Sequence, residues 1–378
     1  MTIAASTPLL DGMSPAQFMR RHWQKRPLLV RQAIPGVVPP LDRAALLALV
    51  QSEDVESRLL VRRDEQWSLR QGPFSRRALP SLATPGWTVL VQGLDLHVEA
   101  ARSLLDRFRF LPEARLDDLM VSFASDGGGV GPHFDSYDVF LLQVSGRRRW
   151  RIGRQRDRRL VPDLPLKILA NFEAEHEWVL EPGDMLYLPP RWAHDGVAVG
   201  GDCMTCSVGM RVPRRDELAR SVLQRALDET EPPAADPLYR DPQQPATSEP
   251  GRIPLPLAAF AAGAVARIAG DAPALACALG EVLSEPKPRV WFERDATATI
   301  TGGVRLDRRS RMLYDDRRIF LNGESYLAGG RDARAMRQLA DDRRLDAAAV
   351  ARLSPQAREL LLEWTRAGWV SGEPAVRG

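Results

Sequence analysis

Lysine is nearly missing from this chain. Only Lys25, Lys167 and Lys287 are lysines, and the other 49 of the 52 basic residues are arginines. So one-sided a preference reflects the base composition of the coding sequence, and arginine abundance alone makes no case for RNA or DNA. With 49 acidic residues the formal net charge is +3, too balanced to make nucleic acid a partner of the whole chain. Cysteine is scarce as well. Cys203, Cys206 and Cys277 are odd in number and supply no disulfide framework, as suits a reducing compartment. Cys203 and Cys206 have C-x-x-C spacing, but a zinc site needs two further ligands. They also fall on an expected strand, where residues three apart point to opposite faces. The first residues lack a basic stretch followed by an apolar one, so no secretory leader is expected. The longest apolar run, around Leu255–Ala266, ends at Arg267 and falls short of the roughly 18 residues that cross a bilayer. A cytoplasmic protein with no membrane partner is expected. The remainder is ordinary globular text: 378 residues, 44% hydrophobic and 27% charged, enough for two or three domains.

Helix signals open the chain, at Ser14-Pro15 and from Asp42 to Glu53. From about Trp87 to Val212 the pattern changes. Short β-rich runs recur at Trp87–Val91, Leu119–Phe123, Val139–Val144, Arg149–Ile152, Trp178–Leu180, Met185–Leu188 and Met204–Val212, punctuated by Gly, Pro and Asp. Many short strands at such spacing predict a β-sandwich or barrel. A helix is expected over Asp216–Asp228, then a Pro-rich linker, 231–254, then an Ala/Leu-rich helical stretch, Leu255–Leu283. So apolar a stretch must bury its faces, within the chain or against a second copy. After it come three short strands, Val304–Leu306, Met312–Tyr314 and Arg318–Leu321, and helices ending at Pro355–Gly368, the order of a winged helix.

Only five histidines are present, and two keep unusual company. Gly127-Gly128-Gly129-Val130-Gly131-Pro132 leads into His133-Phe134-Asp135, and on an extended chain His133 and Asp135 share a face. Gly183-Asp184 opens an apolar strand that meets Pro189-Pro190 and then His194. Two imidazoles and one carboxylate on one side of a metal leave the other positions open, the facial triad of non-haem Fe(II) oxygen chemistry; Mn, Co or Ni would also fit such ligands. Independently, Arg148 shares strand parity with Trp150 and Ile152, which puts a guanidinium on an inward, apolar face. Such a group needs a carboxylate, from the protein or from a ligand. A diacid that chelates the metal at one end and meets Arg148 at the other describes 2-oxoglutarate.

The run from Gly128 through His133-Phe134-Asp135 to Gly146-Arg147-Arg148-Arg149-Trp150, with Asp184–His194 and Cys203–Val212, resembles the JmjC-type ribosomal oxygenases, most of all their bacterial branch. The resemblance implies a mainly β fold with α elements, a JmjC/cupin-like double-stranded β-helix (jelly roll). It implies three domains: a catalytic one over 1–213 with its core at 87–213, a helical dimerisation region over 214–285, and a winged helix over 286–378. It implies His133, Asp135 and His194 as Fe(II) ligands and Arg148 as the anchor of 2-oxoglutarate, where much of the wider family carries lysine. Ser122, Thr205 and Ser207 become candidate co-substrate contacts, although Thr205 stands where the family has asparagine and Ala124 where it has serine. For a substrate arginine, Tyr137 is the expected wall and Asp126 or Asp138 the expected acid. The implied reaction uses O2 and 2-oxoglutarate to hydroxylate an arginine of large-subunit ribosomal protein number sixteen, giving succinate and CO2, in a homodimer that does not bind nucleic acid directly. Alternatives are a related hydroxylase of histidine or asparagine, a lysine demethylase, or a cupin-type metal-dependent regulator with a DNA-binding winged helix.

Overall fold

A computed structural model of the chain describes residues 3–64, 66–228, 238–243, 245–246 and 251–373. It divides into two compact units, Met1–Val212 and Pro213–Gly378. Most of the expected linker at 231–254 lies outside the described residues.

The first unit opens with α1 (Pro15–Arg21). Ser14 accepts from the Gln17 backbone N–H and the Gln17 side chain accepts from Ser14 N, a reciprocal cap with proline at the first helical position. After β1 (Leu28–Val30) comes α2 (Arg43–Leu49), capped by Asp42. A hairpin follows, β2 (Ser57–Arg63) and β3 (Gln66–Gln71), then β4 (Trp87–Val91) and α3 (Glu99–Asp106). The sequence pattern gave no sign of this hairpin, because charged Arg58, Arg62, Arg63 and Asp64 interrupt its apolar alternation.

Eight further strands form the double-stranded β-helix: β5 (Leu116–Ala124), β6 (His133–Phe134), β7 (Val139–Ser145), β8 (Arg148–Gly153), β9 (His176–Leu180), β10 (Met185–Leu188), β11 (Ala193–Ala198) and β12 (Cys203–Met210). They are shared between an eight-stranded sheet, ordered β1-β10-β7-β12-β5-β4-β2-β3, and a four-stranded sheet, β6-β11-β8-β9, antiparallel throughout. The larger sheet is covered on both faces, which is why its strands read as near-continuous apolar runs. Val89, Val91, Val121, Phe123, Phe140, Leu142, Cys206 and Val208 join Phe18, Leu46 and Leu105 in the main core. Alternate residues on the same strands, among them Leu90, Ser122, Leu141 and Ser207, line a cavity that also takes residues of the smaller sheet. Val139, Leu141, Trp150, Ile152 and Leu186 pack in a second, smaller cluster beside it.

The second unit begins with α4 (Arg215–Asp228). The apolar stretch beyond it is two helices, α5 (Leu255–Ala269) and α6 (Ala272–Ser284), bent by 63° at the break. Asp271 causes the break by capping α6 through the Ala274 N–H at 3.0 Å. No single helix among the described residues is long and apolar enough to cross a membrane. Two three-stranded sheets and three helices complete the unit. One sheet joins β14 (Met312–Tyr314), β15 (Arg318–Leu321) and β16 (Glu324–Leu327). The other joins β13 (Val304–Leu306), β17 (Arg344–Leu345) and β18 (Val370–Gly372). The helices are α7 (Gly330–Asp342), α8 (Ala347–Ala351) and α9 (Pro355–Arg366). This is the winged-helix arrangement expected of the last segment. Helix α6 packs on β14, β15 and β16, with Gly280 against the Phe320 ring, so it shares a unit with the winged helix.

Candidate active site

The approach to His133 depends on glycine. A Cβ at Gly129 would lie 2.5 Å from the Gly196 carbonyl oxygen, and Gly131 has φ +78°, so both positions exclude a side chain where the segment runs against β11. The run therefore brings His133 into register directly opposite His194 on β11. The two imidazole centroids are 4.3 Å apart. Asp135 Oδ2 lies 4.0 Å from His133 Nε2 and 3.6 Å from His194 Nε2. One ligand atom from each residue falls within 4.8 Å of the others, and no other such cluster exists among the described residues.

The second nitrogens are pinned. His133 Nδ1 faces the Gly131 carbonyl at 2.9 Å and His194 Nδ1 faces the Trp192 carbonyl at 3.0 Å. A carbonyl accepts only, so each Nδ1 carries the proton and each Nε2 lone pair is free for a cation. Burial, and then the neighbouring His133, push His194 down to about 4. Its ring is therefore neutral at pH 7, the form a metal needs. Tyr137 stands near Asp135 at the rim of the cavity. Burial and that carboxylate raise the phenol well above its ordinary range and keep it a donor.

Across the cavity, Arg148 is 4% exposed. Its Nη1 donates to Ser122 Oγ at 3.0 Å, and its Cζ lies 5.7 Å from the Trp150 ring. Nε and Nη2 are buried with no hydrogen-bond partner, and no carboxylate pairs with Arg148 among the described residues. A buried guanidinium left in this state is costly, and the cavity beside it measures about 350 Å³. The residues thus fit both a divalent metal, by donor set and spacing, and a diacid, by an orphaned arginine fork on the far wall.

Ser122, Ser207 and Tyr137 line the cavity, as the sequence suggests. Three other expected contacts do not. Thr205 is on the same sheet face as its ladder partner Ser122, but it is fully buried and its hydroxyl is committed to Gln143 Oε1 at 2.8 Å. Asp126 is exposed and accepts from the Gly200 and Gly201 N–H groups, closing the β11–β12 turn. Asp138 is fully buried and accepts from Tyr187 Oη at 2.6 Å and Gln24 Nε2 at 2.9 Å, bracing the core. Proximity in sequence to the triad misled for the two acids, because Asp126 is in a turn and Asp138 in the loop before β7, where no strand parity aims a side chain at the cavity. Besides Asp135 of the triad, the acids that line it are Asp117 and Asp118. Asp118 accepts from Gln92 Nε2 at 2.7 Å and Gly93 N at 2.8 Å, and Arg58 donates to Gln92 Oε1 at 3.2 Å. Counting back by twos from Ser122 through Met120 reaches Asp118, a signal the sequence did carry. Arg58, Gln92 and Lys167 come from segments that no pattern flagged. Cys206 faces the main core and Cys203 a small separate cluster, both as free thiols.

A double-stranded β-helix with His-x-Asp and a distal histidine meeting in its mouth has the donor set of a cupin-like, metal-dependent oxygenase. Residues 103–218 match the JmjC domain model and residues 273–371 the ROXA-like winged helix. The chain is 40% identical over 241 residues to the ribosomal protein uL16 3-hydroxylase of Escherichia coli, a match covering 62% of each chain. It is 38% identical over 214 residues to a probable ribosomal oxygenase of Haemophilus influenzae, covering 56% of this chain and 52% of that one. These alignments thus span between half and two thirds of the curated relatives. The solved structure of YcfD, a ribosomal oxygenase from Escherichia coli, in complex with cobalt and 2-oxoglutarate superposes with a TM-score of 0.79 at 28% identity, covering 94% of this chain and 97% of that one. The chain thus combines a JmjC domain with a ROXA-like winged helix and is similar to bacterial ribosomal oxygenases.

Proposed function

We propose that this protein is an Fe(II)- and 2-oxoglutarate-dependent dioxygenase that hydroxylates an arginine side chain of large-subunit ribosomal protein number sixteen. One observation carries the reading: the His133–Asp135–His194 cluster and the unpartnered Arg148 fork face one cavity. The naming of the E. coli relatives supports it.

Bound Fe(II), with 2-oxoglutarate and O2 as co-substrates, supplies the oxidation of an aliphatic carbon, and the co-substrate leaves as succinate and CO2. His133, Asp135 and His194 hold the metal from one side and leave the other side open to ligands. Arg148 binds the distal carboxylate through two parallel N–H groups, a geometry lysine cannot imitate. Ser122 fixes the guanidinium by accepting from Nη1. Leu60, Leu90, Leu141 and Trp150 exclude water from the reacting atoms. A substrate guanidinium meets the Asp118 carboxylate, which Gln92 and Gly93 hold in place, and the substrate's methylenes lie along Tyr137 and Met120. We further propose that the protein works in the cytoplasm as a homodimer through α5. That helix has no buried residue, and Leu255 and Val265 are exposed.

The test is ribosomal protein from cells lacking this gene, incubated with the purified enzyme, Fe(II), 2-oxoglutarate and O2. A gain of about 16 Da on one arginine, absent with His133→Ala, is expected. A gain on histidine or asparagine, or on no residue, overturns the substrate assignment. Loss of a methyl group from lysine overturns the reaction itself.

A further inference from the structure

The cavity holds one more donor that the fold leaves without an acceptor. Trp150 is 4% exposed and lines the cavity, and its Nε1 is buried with no hydrogen-bond partner. Its ring stands between the two ends of the site, 5.7 Å from Arg148 Cζ and 5.8 Å from the centroid of His194. The orientation of the indole follows from its neighbour across the ladder. Trp150 pairs directly with Gly196, and a Cβ at Gly196 would lie 2.6 Å from Cη2 and Cζ3 and 2.9 Å from Cε3. The face of the six-membered ring therefore lies over Gly196 on β11, and no larger residue at that position leaves the indole where it is.

An orphaned indole N–H is not by itself a binding group. Trp364 Nε1 is also without a hydrogen-bond partner, within the core of the second unit. Trp150 differs in its surroundings. Three unpartnered donors, Nε and Nη2 of Arg148 and Nε1 of Trp150, belong to side chains two residues apart on one strand face, beside one cavity. Phenylalanine or leucine would supply the same apolar wall without the cost of an unmet N–H.

We propose that Trp150 is a further binding residue for the diacid, its Nε1–H donating to a carboxylate oxygen of the molecule that Arg148 holds. The proposal rests on the 2-oxoglutarate reading above. The indole then does two jobs: its ring walls off the path from anchor to metal, and its N–H adds a third directed contact that favours an extended dicarboxylate over a monocarboxylate.

The experiment uses the full-length protein, labelled with nitrogen-15 and loaded with Zn(II), which is diamagnetic. The Trp150 indole resonance is assigned by its loss in Trp150→Phe. Should that variant not fold, selective broadening by Mn(II) in place of Zn(II) picks out the indoles nearest the triad, and Trp192→Phe and Trp178→Phe separate them. On titration with 2-oxoglutarate the Trp150 indole proton moves downfield and saturates with the binding curve, and pyruvate does not reproduce the shift at matched occupancy. The dissociation constant of Trp150→Phe for 2-oxoglutarate, measured by calorimetry, rises about ten- to hundredfold, the range for a hydrogen bond to a charged acceptor. If wild type binds 2-oxoglutarate and Arg148→Met does not, yet the Trp150 resonance stays still or Trp150→Phe binds as wild type, the role of Trp150 is refuted and the co-substrate reading stands. If wild type fails to bind 2-oxoglutarate at all, the co-substrate reading falls first and takes this one with it.

Discussion

Replacing Arg148 by methionine should make the unliganded protein more stable while abolishing its response to 2-oxoglutarate. Arg148 is 4% exposed, Nη1 has Ser122 Oγ at 3.0 Å, and Nε and Nη2 have nothing. The folded state therefore carries a buried cation without a counter-charge. Methionine keeps much of the apolar stem and removes the two unmet donors, each of which costs about 1–3 kcal/mol when buried. Against this stand one lost hydrogen bond to a serine, about 1 kcal/mol, and some imperfect packing. The balance favours the variant by about 1 kcal/mol or more, a rise of about 2–4 °C in the transition of a domain this size. Ligand binding reverses the order. Wild type gains about 2.7 kcal/mol at a 2-oxoglutarate concentration one hundred times its dissociation constant, and the variant gains nothing. Arg148→Lys keeps the charge but loses the fork, and one missing charge-assisted bond of about 1.5–3 kcal/mol weakens binding roughly 10- to 150-fold. Differential scanning fluorimetry with and without 2-oxoglutarate reads both effects. A structural ion pair would behave oppositely: Arg148→Met would destabilise by about 3–5 kcal/mol with or without ligand. That result would refute the assignment of the anchor.

Gly196→Ala should drive the Trp150 ring off β11, since the new Cβ would meet it at 2.6 Å. Overpacking of this kind costs about 1–3 kcal/mol in urea denaturation, and a change under about 0.5 kcal/mol would show that the ring has room to move. Asp135→Ala should lose stoichiometric Mn(II) binding while leaving the circular dichroism spectrum unchanged, and retained binding by paramagnetic resonance would count against the triad. Asp184 is buried, which raises its pKa. Hydrogen bonds from Gln32 N, Glu181 N and Arg31 outweigh that burial and hold it below the ordinary carboxylate range. Its stabilising effect is therefore complete above the unfolded pKa of about 4 and fades as pH falls through the depressed value. Asp184→Asn should cost about 1–3 kcal/mol at pH 7 and progressively less in acid. A difference that stays constant from pH 7 to pH 2 would contradict this.

Much of the architecture was legible because it is governed by short-range rules. The strands Trp87–Val91 and Met185–Leu188 have the limits their apolar runs suggest, and Ser14 caps the helix it announces. His133 and Asp135 were paired by strand parity alone, and Arg148 was placed on an inward face by the same count. The hairpin Ser57–Gln71 was not legible, since its arginines break the alternation and only the fold shows that Leu60 and Leu69 point into the cavity.

The sequence by itself determined the type of chemistry: which side chains can bind a metal, which cation needs a carboxylate, and on which strands they sit. Those are properties of residue identity and a two-residue period. Tertiary structure alone decided which of several nearby polar groups share the cavity. It set His194 opposite His133 across 61 positions of chain. It turned Asp126 to a surface turn and Asp138 into the core, and brought Asp118 to the cavity in their place. Parity names two possible faces, but only the packing of one sheet against another fixes which face looks onto the site.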